Sequence, residues 1–267
     1  VYRDVVANPL GKARTVDEID SYPKWPQPDW FDYDGIRDQA CRARATGRVV
    51  VFMGDRLNRC AQLKPAMYLR GVEQILVDML AEPELARALF RRIAGFYREY
   101  ARRTLEAAGG AIDIFFTGDD FGTQQNLFVS PGTWRELLGD GFRQFVELGH
   151  AFGCRVAHHT CGCVAPLLPD LAASGLDILN PLQPEVAGMD YGRLKREFGA
   201  RLTFHGGLSI QKTLPFGSPE EIRREVAQRV RDLAPGGGYI LCTAHNLQAD
   251  VPLANMLALF QAYRDLG

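Results

Sequence analysis

The chain has 267 residues, 46% of them hydrophobic and 24% charged, with a formal net charge of −1. That is room for one large α/β domain, with no general electrostatic pull toward nucleic acid or an anionic membrane. No apolar run reaches bilayer length, and the six cysteines (Cys41, Cys60, Cys154, Cys161, Cys163, Cys242) do not resemble a disulfide framework in a chain this long, so a reducing, cytoplasmic setting is expected. The first residue is Val rather than Met and no signal-peptide pattern follows, which predicts a trimmed start.

Residues 1–35 read as irregular, because Pro9, Gly11, Pro23, Pro26 and Pro28 interrupt any helix; Val1 to Ala7 is a candidate edge strand. Trp25, Trp30, Phe31 and Tyr33 are expected to dock this arm on the main body, and a short helix is expected over 34–46. A rhythm then begins. Arg48 to Gly54 is an apolar strand, and a loop carrying Asp55, Arg56 and Asn58 follows it. Helices are expected over 69–80 and 84–108, the second with Pro83 near its first turn and Gly109-Gly110 at its end. Ala111 to Thr117 is the next strand, followed by Gly118-Asp119-Asp120; a helix over 131–152 comes next. The strand 154–159 and a helix over 164–173 follow, then a strand over 176–181 and a helix over 191–198. The strand 202–207 leads to Ser218-Pro219-Glu220-Glu221, a capping box with Pro at the first helical position, opening a helix that runs to Leu233. Tyr239 to Cys242 is the last strand, and a final helix starts near Pro252.

Six strands alternating with helices predict a parallel sheet with crossover helices. Polar residues gather at the carboxyl ends of the strands, where a (β/α)8 TIM-type barrel presents its chemistry. The expected fold class is therefore an α/β barrel lacking its first strands in this chain, with a doubly wound sheet as the alternative. Residues 1–46 are expected to form an amino-terminal arm and leading helix packed on the barrel, and residues 47–267 the barrel itself, one domain overall. No glycine fingerprint of the dinucleotide or P-loop kind follows any strand.

The stretch Val156-Ala157-His158-His159-Thr160-Cys161-Gly162-Cys163 organises the functional reading. Side chains two apart in a strand point the same way, so His159 and Cys161 face one side together and His158 the other. Imidazole plus thiolate suits zinc. The bland alternative is a buried Cys and a hydrogen-bonded core His. His245 and Cys242 compete as a third ligand; His245 lies past its strand, where mouth residues belong, and Cys163 is a spare because Gly162 precedes it. Asp119 and Asp120 are candidate catalytic carboxylates or a fourth metal contact, set against Asx-type capping of the loop. Asn180, Gln183, His205, Gly206 and Gly207 are candidate substrate contacts, the paired glycines allowing close approach of a ligand; loop architecture is the competing explanation.

The segment Gly162 to Gln183, the turn Phe204-His205-Gly206-Gly207, and Gly237 to Asn255 resemble the uroporphyrinogen decarboxylase superfamily over about residues 45–267. Within it, His159-Thr160-Cys161-Gly162 is similar to the zinc-dependent methylcobamide:coenzyme M methyltransferases; the decarboxylases proper lack that pair. The resemblance implies a (β/α)8 barrel and a zinc site. Those methyltransferases place a Cys near the last strand as third ligand, where this chain has His245, a decarboxylase-like feature. The amino-terminal Arg-rich substrate segment of the decarboxylases has no counterpart here, and the start of the chain resembles the middle of full-length relatives.

Three functions follow from the resemblance. The first is a zinc-dependent, corrinoid-linked methyltransferase, with a methyl-corrinoid, free or on a corrinoid protein, and a small thiol or methylated small molecule as partners; a homodimer fits this reading. The second is a tetrapyrrole decarboxylase, in which Arg56 and Arg59 would hold substrate carboxylates. The third is a non-catalytic tetrapyrrole- or corrinoid-binding barrel.

Overall fold

Parallel strands and crossover helices account for most of the chain in a computed structural model that describes residues 5–53 and 59–266. Gly54, Asp55, Arg56 and Asn58, and the first four residues of the candidate edge strand, lie outside the described residues; Val5 to Ala7 form no strand. The residues fall into two units. One comprises the chain up to Asp120 together with Phe128–Val156; the other comprises Phe121–Leu127 and Ala157 onward.

The first unit opens with the arm. Its irregular reading holds except for α1 (Val16–Asp20), which starts from a capping box between Thr15 and Glu18, and a 3-10 turn over Pro28–Trp30. Trp25 is buried and donates from Nε1 to Ile19 O, and Phe31 and Tyr33 pack on Tyr100. Trp30 departs from expectation and is 67% exposed. Helix α2 (Ile36–Arg44) leads to strand β1 (Val51–Phe52). The helix expected over 69–80 is two helices, α3 (Leu63–Arg70) and α4 (Val72–Ala81), divided at Gly71. Helix α5 (Pro83–Ala108) buries Leu85, Leu89 and Ile93, then Ala101, Leu105 and Ala108, steps of three, four or eight residues that keep one apolar stripe inward.

Strand β2 (Ile114–Gly118) pairs parallel with β1, setting Phe52 opposite Phe115 with stacked rings 5.6 Å apart. The helix expected over 131–152 is α6 (Pro131–Trp134), a π turn over Arg135–Gly139, and α7 (Asp140–Ala151). Gly149 on α7 lets the helix lie against β3 (Arg155–His159): a Cβ there would fall 2.4 Å from Val156 Cγ2.

Strand β3 begins in the first unit and continues in the second. There it pairs parallel with β4 (Ile178–Leu182), which pairs with β5 (Thr203–Leu208), which pairs with β6 (Tyr239–Thr243). Helices α8 (Leu168–Ala173), α9 (Tyr191–Phe198), the unanticipated short α10 (Thr213–Phe216), α11 (Pro219–Leu233) and α12 (Leu253–Leu266) connect and follow them. Helix α11 carries the expected capping box, Ser218 with Glu221. Leu208, Leu214, Ile222, Val226, Val251 and Leu259 form one core under α11 and α12.

Strand neighbours follow chain order from β1 to β6 with no reversal. A doubly wound sheet requires a reversal at its switch point, so that alternative is set aside. The fold class is the α/β barrel type, with six parallel strands among the described residues. No helix among the described residues is long and apolar enough to cross a membrane.

Candidate metal centre

Strand β3 is buried from Val156 to its end, which places both of its histidines under cover. Alternation sends them to opposite faces. His158 is 1% exposed and stacks on the Phe121 ring at 5.3 Å. His159 turns the other way, its Nε2 3.3 Å from Cys161 Sγ and its Nδ1 2.7 Å from Asn180 Oδ1. The His245 ring, beyond β6, lies 5.8 Å from the His159 ring at an angle of 71°. Ligand atoms of His159, Cys161 and His245 all lie within 4.8 Å of one another, the one such group of three among the described residues.

That donor set fits zinc. Bonds of about 2.0–2.1 Å to nitrogen and about 2.3 Å to sulfur put tetrahedral ligand atoms roughly 3.4–3.7 Å apart. The His159–Cys161 pair, at 3.3 Å, is close to that spacing, and a ligand atom of half-buried His245 lies within 4.8 Å of both.

The loop after β3 is held so that Cys161 stays beside His159. The Thr160 N–H donates to Asn180 O at 2.7 Å, and Thr160 Oγ1 accepts the Phe121 N–H at 3.1 Å. The Gly162 N–H donates to Gln183 Oε1 at 3.1 Å. Gly162 has φ +90°, and a Cβ there would sit 2.5 Å from the Gly122 carbonyl carbon, so only glycine fits the turn. Gln183 is thus engaged with this loop and with Gln124. Asn180 lies against His159, a pairing that sequence reading missed because it crosses between adjacent strands.

The spare thiols lie outside the group. Cys242, in β6 opposite Gly207, donates to Thr243 O at 2.9 Å, and burial pushes its thiol up to about 11. Cys163 is buried and lines a cavity of about 440 Å³ with Pro166, Pro169, Arg193 and Phe198. His245 is held from behind by Thr243, whose hydroxyl donates to His245 O at 2.7 Å.

The other candidates have different surroundings. His205 sits mid-strand opposite Ile240, and burial lowers its pKa. Gly206 and Gly207 have φ of +118° and +98°, yet the close approaches there come from the chain itself. Tyr239 OH donates to Gly206 O and Arg229 Nε to Gly207 O, both at 2.8 Å. In the first unit, Asp119 is buried and accepts the backbone N–H groups of Gln62, Leu63 and Lys64 at 2.6–2.7 Å, closing the amino end of α3. Burial pushes its carboxyl up to about 7 against the pull of those donors. Asp120 pairs with Lys64 Nζ at 2.8 Å. Arg59 lies over the Phe116 ring at 5.3 Å.

Parallel strands with ligand-type side chains at their carboxyl ends define a barrel-type α/β protein with a candidate metal centre. The chain belongs to the uroporphyrinogen decarboxylase (URO-D) family, whose family model matches residues 61–266. It is similar to the uroporphyrinogen decarboxylase of Chlorobium limicola, 24% identical over 70% of this chain and 51% of that protein. It is similar also to that of Sodalis glossinidius, 25% identical over 93% of this chain and 67% of that protein. The chain spans about half the length of most of the curated relatives it matches. A solved methyltransferase from Methanosarcina mazei superposes with a TM-score of 0.66 at 19% identity, over 86% of this chain and 63% of that one, and supports the fold.

Proposed function

We propose that this protein is a zinc-dependent methyltransferase of the URO-D family, moving a methyl group between a methyl-corrinoid and a thiol or small methylated substrate. The observation that carries this reading is the convergence of His159, Cys161 and His245 at the carboxyl ends of β3 and β6. His159 and His245 would bind zinc through neutral imidazoles and Cys161 as thiolate, three protein ligands of the number catalytic zinc sites use. Bound there, zinc supplies a Lewis acid that stabilises an incoming thiol as its thiolate. Thr160, Gly162 and Gln183 hold the ligand loop, and Thr243 fixes the backbone at His245. Asp119 and Asp120 act as braces at the end of β2. The enzyme is proposed to be cytoplasmic, with corrinoid free or carried on a partner protein, and homodimeric.

The curated relatives' names favour a second reading, tetrapyrrole decarboxylation. That chemistry needs cations for the substrate carboxylates and no metal. Metal analysis of protein purified without added metal separates the two. Near-stoichiometric zinc, lost in His159→Ala and Cys161→Ser, together with methyl transfer from methyl-corrinoid to a thiol, is expected. Folded, metal-free protein that cannot be reconstituted, and that forms coproporphyrinogen, would replace the first reading with the second.

A further inference from the structure

The two ring nitrogens of His159 have different neighbours: Asn180 Oδ1 at 2.7 Å from Nδ1, and Cys161 Sγ at 3.3 Å from Nε2. An amide oxygen only accepts, so the Nδ1 facing it carries the proton. In a neutral ring that leaves the lone pair on Nε2, pointing at the sulfur. The Cys161 thiol, a weak donor, completes a one-way chain: S–H to Nε2, then Nδ1–H to Oδ1. Placement of the amide comes from the sheet. The parallel register sets Asn180 directly opposite His159, Asn180 is 8% exposed, and its carbonyl is tied to the Thr160 N–H.

We propose that Asn180 is a positioning residue that fixes His159 in its Nδ1–H form, so that Nε2 and the Cys161 sulfur are presented together to the metal. The proposal rests on the zinc reading above and assigns the residue that makes it work. Metal-bound histidines commonly donate their other N–H to a carboxylate or carbonyl, which fixes both tautomer and ring orientation. An amide oxygen does the same without adding negative charge next to the Cys161 thiolate.

The test uses protein labelled with 15N-histidine, metal-free, at a pH where the imidazoles are neutral. The chain has five histidines, so the His159 signals are assigned by their disappearance in His159→Gln. The wild type should show a protonated Nδ1 and an unprotonated Nε2. In Asn180→Ala that preference should be lost, and zinc binding, read by competition with a chromophoric chelator, should weaken about 10- to 100-fold. Asn180→Asp keeps the acceptor, and should keep the tautomer and bind zinc at least as tightly as wild type. The wild-type spectrum and Asn180→Asp test the proposal even where the alanine variant does not fold. A wild-type ring protonated on Nε2, or an Asn180→Ala protein with unchanged tautomer and zinc affinity, would overturn it. A wild type whose Nδ1–H form depends on Asn180 but which binds no zinc would uphold the tautomer assignment and sink the metal reading alone.

Discussion

Two clusters of ligand-type side chains sit at the carboxyl ends of strands, and they differ in what their polar atoms face. Asp119, after β2, has its carboxylate turned onto three backbone N–H groups at the start of α3. His159, Cys161 and His245, after β3 and β6, have their ligand atoms turned toward one another. Position at a strand end is common to both; the neighbours decide whether such a group closes a helix end or gathers with other ligand-type groups. The first cluster should therefore answer to mutation in stability, and the second in metal binding.

The largest expected effect is on the Asp119 side. Asp119→Ala leaves three backbone donors, two of them buried and one part-buried, without their acceptor, at about 1–3 kcal/mol for each buried group. A loss of at least ~3 kcal/mol should appear as a lower urea midpoint. A drop under about 1 kcal/mol would mean that water replaces the carboxylate and that the contrast between the clusters is overdrawn.

A second experiment reads the same carboxylate through pH. Its folded pKa, about 7, lies above its ordinary value of 3.8, so between these values the folded protein holds a proton that the unfolded chain has released. Stability from this group is present at low pH and falls as pH rises from about 4 to about 7, on the order of 4 kcal/mol across the window. Asp119→Asn, which cannot ionise, should lack that slope whatever its absolute stability. Parallel pH profiles for wild type and Asp119→Asn would show instead that the N–H donors hold the carboxylate ionised throughout.

This contrast marks where sequence is legible. Helices α9 and α11 were readable to the residue, because Ser218, Pro219 and Glu221 announce the start of α11 within its own first turn. The start of α3 was not, because its cap is Asp119, 56 residues from Leu63. The two-residue period of a strand turns His159 away from His158, but Cys161 lies past the end of β3 and is kept beside His159 by the loop bonds of Thr160 and Gly162. The pairing of His159 with Asn180 depends on the register of β3 against β4, which no local pattern encodes. The paired Gly206 and Gly207 suggest either close approach of a ligand or a tight turn, and the sequence does not show that Tyr239 and Arg229, from later elements, bond the backbone there. What is local or periodic is visible; what crosses between strands and helices is not.

On the metal side, Cys161→Ser should change the stability of the metal-free protein by less than about 1 kcal/mol, since the thiol is only half-buried and a hydroxyl nearly matches its volume. Added zinc should raise the melting temperature of wild type and leave that of the variant unmoved, because a ligand stabilises only the fold that binds it. A destabilised metal-free variant would place Cys161 with Asp119, among the residues that build the fold.

The smallest effect is expected from Cys242→Ser, and it draws the boundary of the cluster. Cys242 lies three residues before His245 and carries the same ligand chemistry, but its S–H is turned to the Thr243 carbonyl and burial holds it protonated at neutral pH. A hydroxyl can make the same hydrogen bond in nearly the same volume. Zinc content and affinity should match wild type, with stability shifted by no more than about 1 kcal/mol. Loss of zinc in this variant would move the third ligand from His245 to Cys242, and would show that the thiol rotates out of its hydrogen bond when the metal arrives.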